Sequence, residues 1–106
     1  MERSKSKALK LIETALGEKV GIATLMKAYR TRLGKTQPEI AKTLGTSKSE
    51  ISDIENMRKL ISLERAVTFA QTLGESTKVW AEIAIQDQIN KLGLDMVVEV
   101  KHKNAS

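Results

Sequence analysis

The sequence predicts an all-α protein that ends in a short β-strand. Apolar residues recur at helical spacing through most of the 106 residues, and the chain contains one proline. Apolar residues make up 41% of the chain but aromatic residues only 3%. We therefore expect one domain with an aliphatic core.

The composition also limits the kind of protein. There is no cysteine, which excludes disulfides and thiolate metal sites. No apolar run is long enough to cross a membrane, and no signal-peptide pattern is present. We therefore expect a cytoplasmic protein with no membrane partner.

The centre of the chain predicts two short helices joined by a tight turn. Thr36 with Glu39, and Ser47 with Glu50, have the spacing of capping boxes, which satisfy the free N–H groups that begin a helix. Gly45 lies between them, where a left-handed residue can end the first helix. This is the helix-turn-helix arrangement. The apolar residues predicted to be buried are Ile40, Ala41, Leu44, Ile51 and Ile54.

Further helices are predicted where apolar stripes are bounded by polar caps or glycines. They cover residues 4–16, 22–33, 63–73 and 77–92. The expected organisation has three parts. These are an N-terminal helical extension (1–20), the helix-turn-helix domain (21–75), and a C-terminal helix and strand for dimerisation (76–106).

Residues 95–101 alternate in the manner of a strand. Met96, Val98 and Val100 face one way, and the charged side chains face the other. A lone strand leaves backbone donors and acceptors unpaired, and the same strand of a second copy would satisfy them in an antiparallel ribbon. We therefore predict a homodimer interface at these three residues. The alternative is a disordered tail.

Together these features resemble the Cro/CI-type (XRE-like) helix-turn-helix domain of phage repressors and bacterial regulators. The resemblance covers residues 25–74 and depends on the order and spacing of its parts. The matching parts are Thr36-Gln37, Glu39-Ile40-Ala41, Leu44-Gly45, Ser47 to Ser49, Ile51-Ser52-Asp53-Ile54-Glu55-Asn56 and Ser62-Leu63-Glu64. The fold class that it implies is a five-helix Cro/CI-like domain, here with an extra N-terminal helix and the C-terminal strand.

The resemblance implies that the second helix of the motif enters the major groove of B-DNA. Lys48 can donate to guanine, and Asp53 can accept from the amino group of cytosine. The residues expected to read bases are Ser47, Lys48, Ser49, Ser52 and Asp53. The residues expected to contact phosphate are Gln37, Asn56, Arg58 and Lys59.

Two further expectations come from the resemblance. In the family, an arginine at the position of Arg30 forms a structural ion pair with the glutamate that ends the recognition helix, which is Glu55 in this chain. After Asn56 the family often has glycine, whereas this chain has Met57. The geometry of the following loop is therefore left open.

The net charge of +5 is unevenly distributed. Residues 1–35 carry nine Lys/Arg and three Asp/Glu, whereas residues 36–75 carry five and six. The basic N-terminal third favours nucleic acid, although a solubilising tail has the same composition. The recognition helix itself is acidic, so Asp53 would face a polyanion unless it reads a cytosine.

The resemblance implies a sequence-specific transcriptional regulator, a repressor that binds a palindromic operator as a homodimer. One alternative is an antitoxin that represses its own operon and binds a toxin protein. Another is a protein-interaction module without DNA binding. No enzyme is expected, because the sequence has no nucleophile–base pair, no metal-ligand cluster and no glycine-rich phosphate loop. We expect no cofactor and no metal, and we expect double-stranded DNA and a second copy as partners.

Overall fold

The described part of the protein, residues 21–103 of a computed structural model, contains five α-helices. They are α1 (Ile22–Arg32), α2 (Gln37–Leu44), α3 (Lys48–Glu55), α4 (Leu63–Leu73) and α5 (Thr77–Lys91). The all-helical prediction is confirmed, and each helix begins and ends within one residue of its predicted bounds. The predicted N-terminal helix over residues 4–16, and the whole extension 1–20, lie outside the described residues.

Hydroxyl side chains begin four of the helices, because each satisfies an N–H group that the first turn leaves free. Thr36 forms the complete capping box with Glu39: Thr36 Oγ1 accepts from the Glu39 N–H at 3.3 Å, and Glu39 Oε1 accepts from the Thr36 N–H at 2.8 Å. At α3 only half of the predicted box forms. Ser47 accepts from the Glu50 N–H, but the Glu50 carboxylate binds side chains outside the helix.

The core lies between α4 and α5, with the inner faces of α1, α2 and α3 packed against it. It is mainly aliphatic, with Phe69 and Trp80 as its aromatic members. The predicted burial of Ile40, Ala41, Ile51 and Ile54 is confirmed, and these four residues fix the motif helices to the rest of the domain. Leu44, also predicted to be buried, is partly buried at the end of α2. Leu33 and Leu63 lie at the ends of their apolar helix stripes and are substantially exposed.

The start of α1 is capped by a side chain from α5. Gly21 offers no side-chain cap, and Asp87 accepts from the Ile22 N–H at 3.0 Å. A Cβ atom at Gly21 would lie 2.7 Å from Asp87 Oδ1, so the small residue leaves room for the carboxylate. Burial raises the pKa of Asp87, and the N–H donor opposes that shift. This contact fixes α1 against α5.

The predicted strand over residues 95–101 is absent, and no β-strand is present anywhere in residues 21–103. The segment is extended and lies along α5. Gln86 and Glu82 of α5 supply hydrogen bonds to Met96, Val98 and Val100 that a neighbouring strand would otherwise supply. The prediction considered only backbone groups as partners for a lone strand, and it therefore missed the helix side chains.

Candidate nucleic-acid interface

A tight turn sets α3 against α2. Gly45 has a left-handed conformation (φ 71°), and the Thr46 N–H returns to the Ala41 carbonyl at 2.9 Å, which closes α2. α3 then buries Ile51 and Ile54. Its N-terminal residues 47–49 are exposed. α3 is therefore held by its inner face and presents its first turn to solvent.

Each acidic side chain of α3 is paired with an arginine from outside the helix. Glu55 pairs with Arg30 of α1, Glu50 with Arg65 of α4, and Asp53 with Arg58 of the loop after α3. The three pairs neutralise the acidic charge that the sequence places on this helix. Of the four charged residues of α3, Lys48 alone has no ion-pair partner within residues 21–103.

The Arg30–Glu55 pair ties three helices together. Arg30 donates from Nε and from a terminal guanidinium nitrogen to the two Glu55 oxygens, both at 2.9 Å. Gln37, at the start of α2, donates to Glu55 Oε1 at 3.0 Å. Burial raises the pKa of Glu55, but the hydrogen bonds from Arg30 and Gln37 outweigh it and hold that pKa below its usual value. Removing Arg30 would leave the buried Glu55 carboxylate poorly compensated, at a cost of about 3 kcal/mol.

A second cluster, the Glu50 clamp, consists of Glu50, Thr46, Lys59 and Arg65. All three partners contact the Glu50 carboxylate, with Lys59 Nζ at 2.5 Å. Donors from Arg65, Lys59 and Thr46 hold the pKa of Glu50 far below its usual range. The guanidinium of Arg65 also stacks 4.7 Å from the centre of the Phe69 ring, which fixes its position. The clamp joins α3 to the preceding turn, to the following loop and to α4.

Sequence reasoning assigned Glu50 to a capping box and gave Arg65 and Thr46 no role. Arg65 lies 15 residues from Glu50 and Lys59 lies nine, so no local spacing indicates their contact. A charge count would have been a usable signal, because an acidic recognition helix needs cations from other elements.

The third pair lies at the C-terminal end of α3. Arg58 Nε donates to Asp53 Oδ1 at 2.9 Å, and another guanidinium nitrogen lies 3.3 Å from Ser52 Oγ. Asn56 Nδ2 donates to the Ser52 carbonyl at 2.8 Å. Arg58 therefore lies along the exposed side of α3, where it covers one oxygen of Asp53 and leaves the other without a partner in residues 21–103.

The predicted contact residues fall into two groups. Lys48 and Ser49 are exposed and make no side-chain hydrogen bond within residues 21–103, whereas the Ser47 hydroxyl caps α3. All four residues predicted to contact phosphate are bound to other side chains or carbonyls of the domain. They are Gln37, Asn56, Arg58 and Lys59. The predicted dimer residues lie on the C-terminal segment, with Met96 exposed and Val98 and Val100 half-buried.

The described chain therefore has two short helices joined by a tight turn, α2 and α3, and three further helices that support them. The helix-turn-helix family model matches residues 26–80. The chain belongs to the XRE-type helix-turn-helix family of DNA-binding regulators. Comparisons with the curated proteins and with the solved structures gave no match.

As a member of this family, the protein is a DNA-binding transcriptional regulator, and double-stranded DNA is its partner. Proteins of this XRE-type family are typically not enzymes. In the described part of the chain, no group of His, Asp or Glu side chains is arranged to hold a metal ion. No helix there is long and apolar enough to cross a membrane.

The loop after α3 shows how this XRE-type chain manages without the family's glycine. Met57 adopts the left-handed conformation (φ 61°), and its N–H bonds to the Ile54 carbonyl at 3.1 Å. The Arg58 N–H bonds to the Asp53 carbonyl at 2.8 Å, which completes the same helix-ending motif that follows α2. Met57 therefore holds the conformation that Gly45 holds after α2, and Arg58 lies beside Asp53.

Proposed function

We propose that the protein is a transcriptional repressor that binds a palindromic operator as a homodimer, with α3 in the major groove. The observation that carries the proposal is the pairing of every acidic side chain of α3 with an arginine. DNA would repel a helix with unpaired acidic side chains. In α3 these side chains are paired with arginines, and the remaining charge is the positive charge of Lys48. Its first turn is also exposed, and helix N–H groups there favour phosphate.

Base reading is assigned to the exposed first turn and to the next turn of α3. Lys48 donates to guanine O6 or N7. Asp53 keeps one oxygen beyond its bond to Arg58, and this oxygen accepts from a cytosine amino group. Ser47, Ser49 and Ser52 contact bases or the adjacent phosphates.

Phosphate contact is assigned to Gln37, Asn56, Arg58 and Lys59. Arg58 has five N–H donors, of which its contacts with Asp53 and Ser52 use two, so it can add a phosphate without losing Asp53. Lys59 has three donors and gives one to Glu50. The internal hydrogen bonds therefore position these cations beside α3 and still leave donors for the DNA backbone.

The dimer follows from the size of one motif, which covers only a few base pairs. Two copies related by a two-fold axis place two α3 helices about 34 Å apart, one turn of B-DNA, and so require a palindromic site. Two copies of the phosphate-contacting set also make the affinity strongly dependent on salt.

Lys48→Ala tests the base-reading assignment. We expect binding to the DNA upstream of the protein's own gene to weaken by about 10- to 100-fold, the range for loss of one good base contact. Binding to unrelated DNA should weaken only a few-fold. Both are measured by fluorescence anisotropy at fixed salt, with Lys103→Ala as the matched control outside the motif. An equal loss on the two DNAs would make Lys48 a phosphate contact, and no loss on either would remove α3 from the interface.

A further inference from the structure

The C-terminal segment, residues 94–101, lies along α5 and is bound through alternate residues, which is the pattern of an extended chain. Gln86 donates from Nε2 to the Met96 carbonyl and accepts from the Val98 N–H, both at 2.8 Å. Glu82 accepts from the Val100 N–H at 2.9 Å. Glu82 is fully buried, and its second carboxylate oxygen has no hydrogen-bond partner. The carboxamide of Gln86 occupies the place of a peptide group in a neighbouring strand.

The spacing of these contacts follows from helix and strand geometry. Four residues of α-helix rise about 6 Å, and two residues of extended chain rise about 6.7 Å. Glu82 and Gln86 therefore match the even-numbered residues of the segment, which runs antiparallel to α5. Side chains of a rigid helix hold the segment straight, as a neighbouring strand would.

The other edge of the segment is open. In an extended chain the backbone groups of successive residues point to opposite edges. The N–H and C=O groups of Val97 and Glu99 therefore point away from α5, and no group in residues 21–103 bonds to them. The segment also has three exposed apolar side chains, those of Leu94, Met96 and Val97. Such an edge is a template for pairing with another chain.

We infer that a second copy of the chain occupies this edge, as an antiparallel pair centred on Val98. The inference rests on the homodimer of the proposed function and assigns its interface. A two-fold axis through Val98 pairs odd-numbered residues with odd-numbered residues. The open edges therefore bond to each other, while the even-numbered backbone groups stay on Gln86 and Glu82. The sequence predicts an antiparallel ribbon at Met96, Val98 and Val100. In the inferred pairing, the backbone groups that bond across the ribbon are those of Val97 and Glu99.

Charge selects the register. With the axis at Val98, Asp95 of one copy lies opposite Lys101 of the second copy at both ends of the pair. An axis at Val97 would place Asp95 opposite Glu99, and an axis at residue 99 would place Glu99 opposite itself. Opposite charges facing each other across a pair of strands are favourable, and like charges are unfavourable.

A charge exchange tests the pairing. Asp95→Lys and Lys101→Asp should each weaken the dimer about tenfold, because each replaces two favourable pairs by repulsive ones. The double variant Asp95→Lys/Lys101→Asp should restore dimerisation. Within one extended chain these residues are about 20 Å apart, so rescue cannot come from an intrachain pair. Asp95 and Lys101 are exposed, as is the control position Lys103, so we expect the variants to fold.

The dimer dissociation constant is measured by sedimentation equilibrium without DNA. The control is Lys103→Asp, which changes charge next to the pair and should have no effect. Rescue of Asp95→Lys by Lys103→Asp instead of Lys101→Asp would overturn the register. A dimer indifferent to all these changes, or a monomer at every concentration, would overturn the interface. If the protein were a monomer that still bound its operator sequence, the dimer interface would be overturned but the proposed DNA binding would stand.

Discussion

Met57 holds a backbone conformation that glycine holds at the ends of the other helices. Gly34, Gly45, Gly74 and Gly93 follow the other four helices with φ between 66° and 72°, and Met57 follows α3 with φ 61°. A left-handed conformation costs an L-residue with a side chain roughly 1–2 kcal/mol. The Met57 side chain is 78% exposed, so little packing offsets that cost.

Met57→Gly should therefore stabilise the protein. Relief of the left-handed conformation is partly offset by the larger entropy of glycine in the unfolded chain, about 0.5–1 kcal/mol. We expect the free energy of unfolding to rise by about 0.5–1 kcal/mol in urea denaturation, with Met57→Ala, which keeps the unfavourable φ, showing no such gain. A destabilised glycine variant would mean that the Met57 side chain makes contacts that its exposure does not indicate.

At the scale of an element, α3 depends on charges supplied by α1, α4 and the loop that follows it. The Glu50 clamp is the clearest case, because one carboxylate accepts from three side chains on three different segments. Its folded-state pKa lies below the value of about 4.3 for an unfolded chain. The stability from the clamp is therefore present above that pH, and it is lost as the pH falls towards the folded-state pKa.

Glu50→Gln should lower the free energy of unfolding near neutral pH by roughly 1–2 kcal/mol, because charge-assisted hydrogen bonds are lost. The difference from wild type should shrink as the pH is lowered from about 5 towards 2, since the Glu50 carboxylate of the unfolded wild-type chain then takes up a proton, which favours unfolding. Urea denaturation at several pH values measures both effects. Glu64→Gln, at an exposed position in the first turn of α4, is the control and should change little. A pH-independent difference would show that packing, not charge, explains the loss.

The helices were predictable because their signals are local. Hydroxyl caps, terminal glycines and apolar spacing lie within a few residues of each other, and they fixed all five helices. Other contacts were not predictable, because they join segments distant in sequence or depend on side-chain direction. They are the ion pairs of Glu50 and Asp53, the cap from Asp87 to Ile22, and the attachment of Met96, Val98 and Val100 to α5. The predicted strand failed for the same reason, because its backbone partners are the side chains of Gln86 and Glu82.

At the scale of the whole molecule, α5 links the DNA-binding motif to the proposed dimer interface. This helix packs on α4, its Asp87 caps α1, and its Glu82 and Gln86 hold the C-terminal segment. The family match ends at residue 80, so most of α5 and the segment lie beyond it. A dimer built through this helix would fix the separation of two α3 helices, and hence the spacing of the two halves of the operator.

Sequence-specific DNA binding is tested by measuring how the intact protein binds the DNA upstream of its own gene, at two salt concentrations, with the mass of the complex measured in parallel. We predict tight binding of a dimer to a palindrome, with affinity that falls steeply as salt rises. Unrelated DNA of the same length should bind far more weakly at both salts. A well-folded dimer with no sequence preference at either salt would contradict the repressor function and would point to a protein partner instead of an operator.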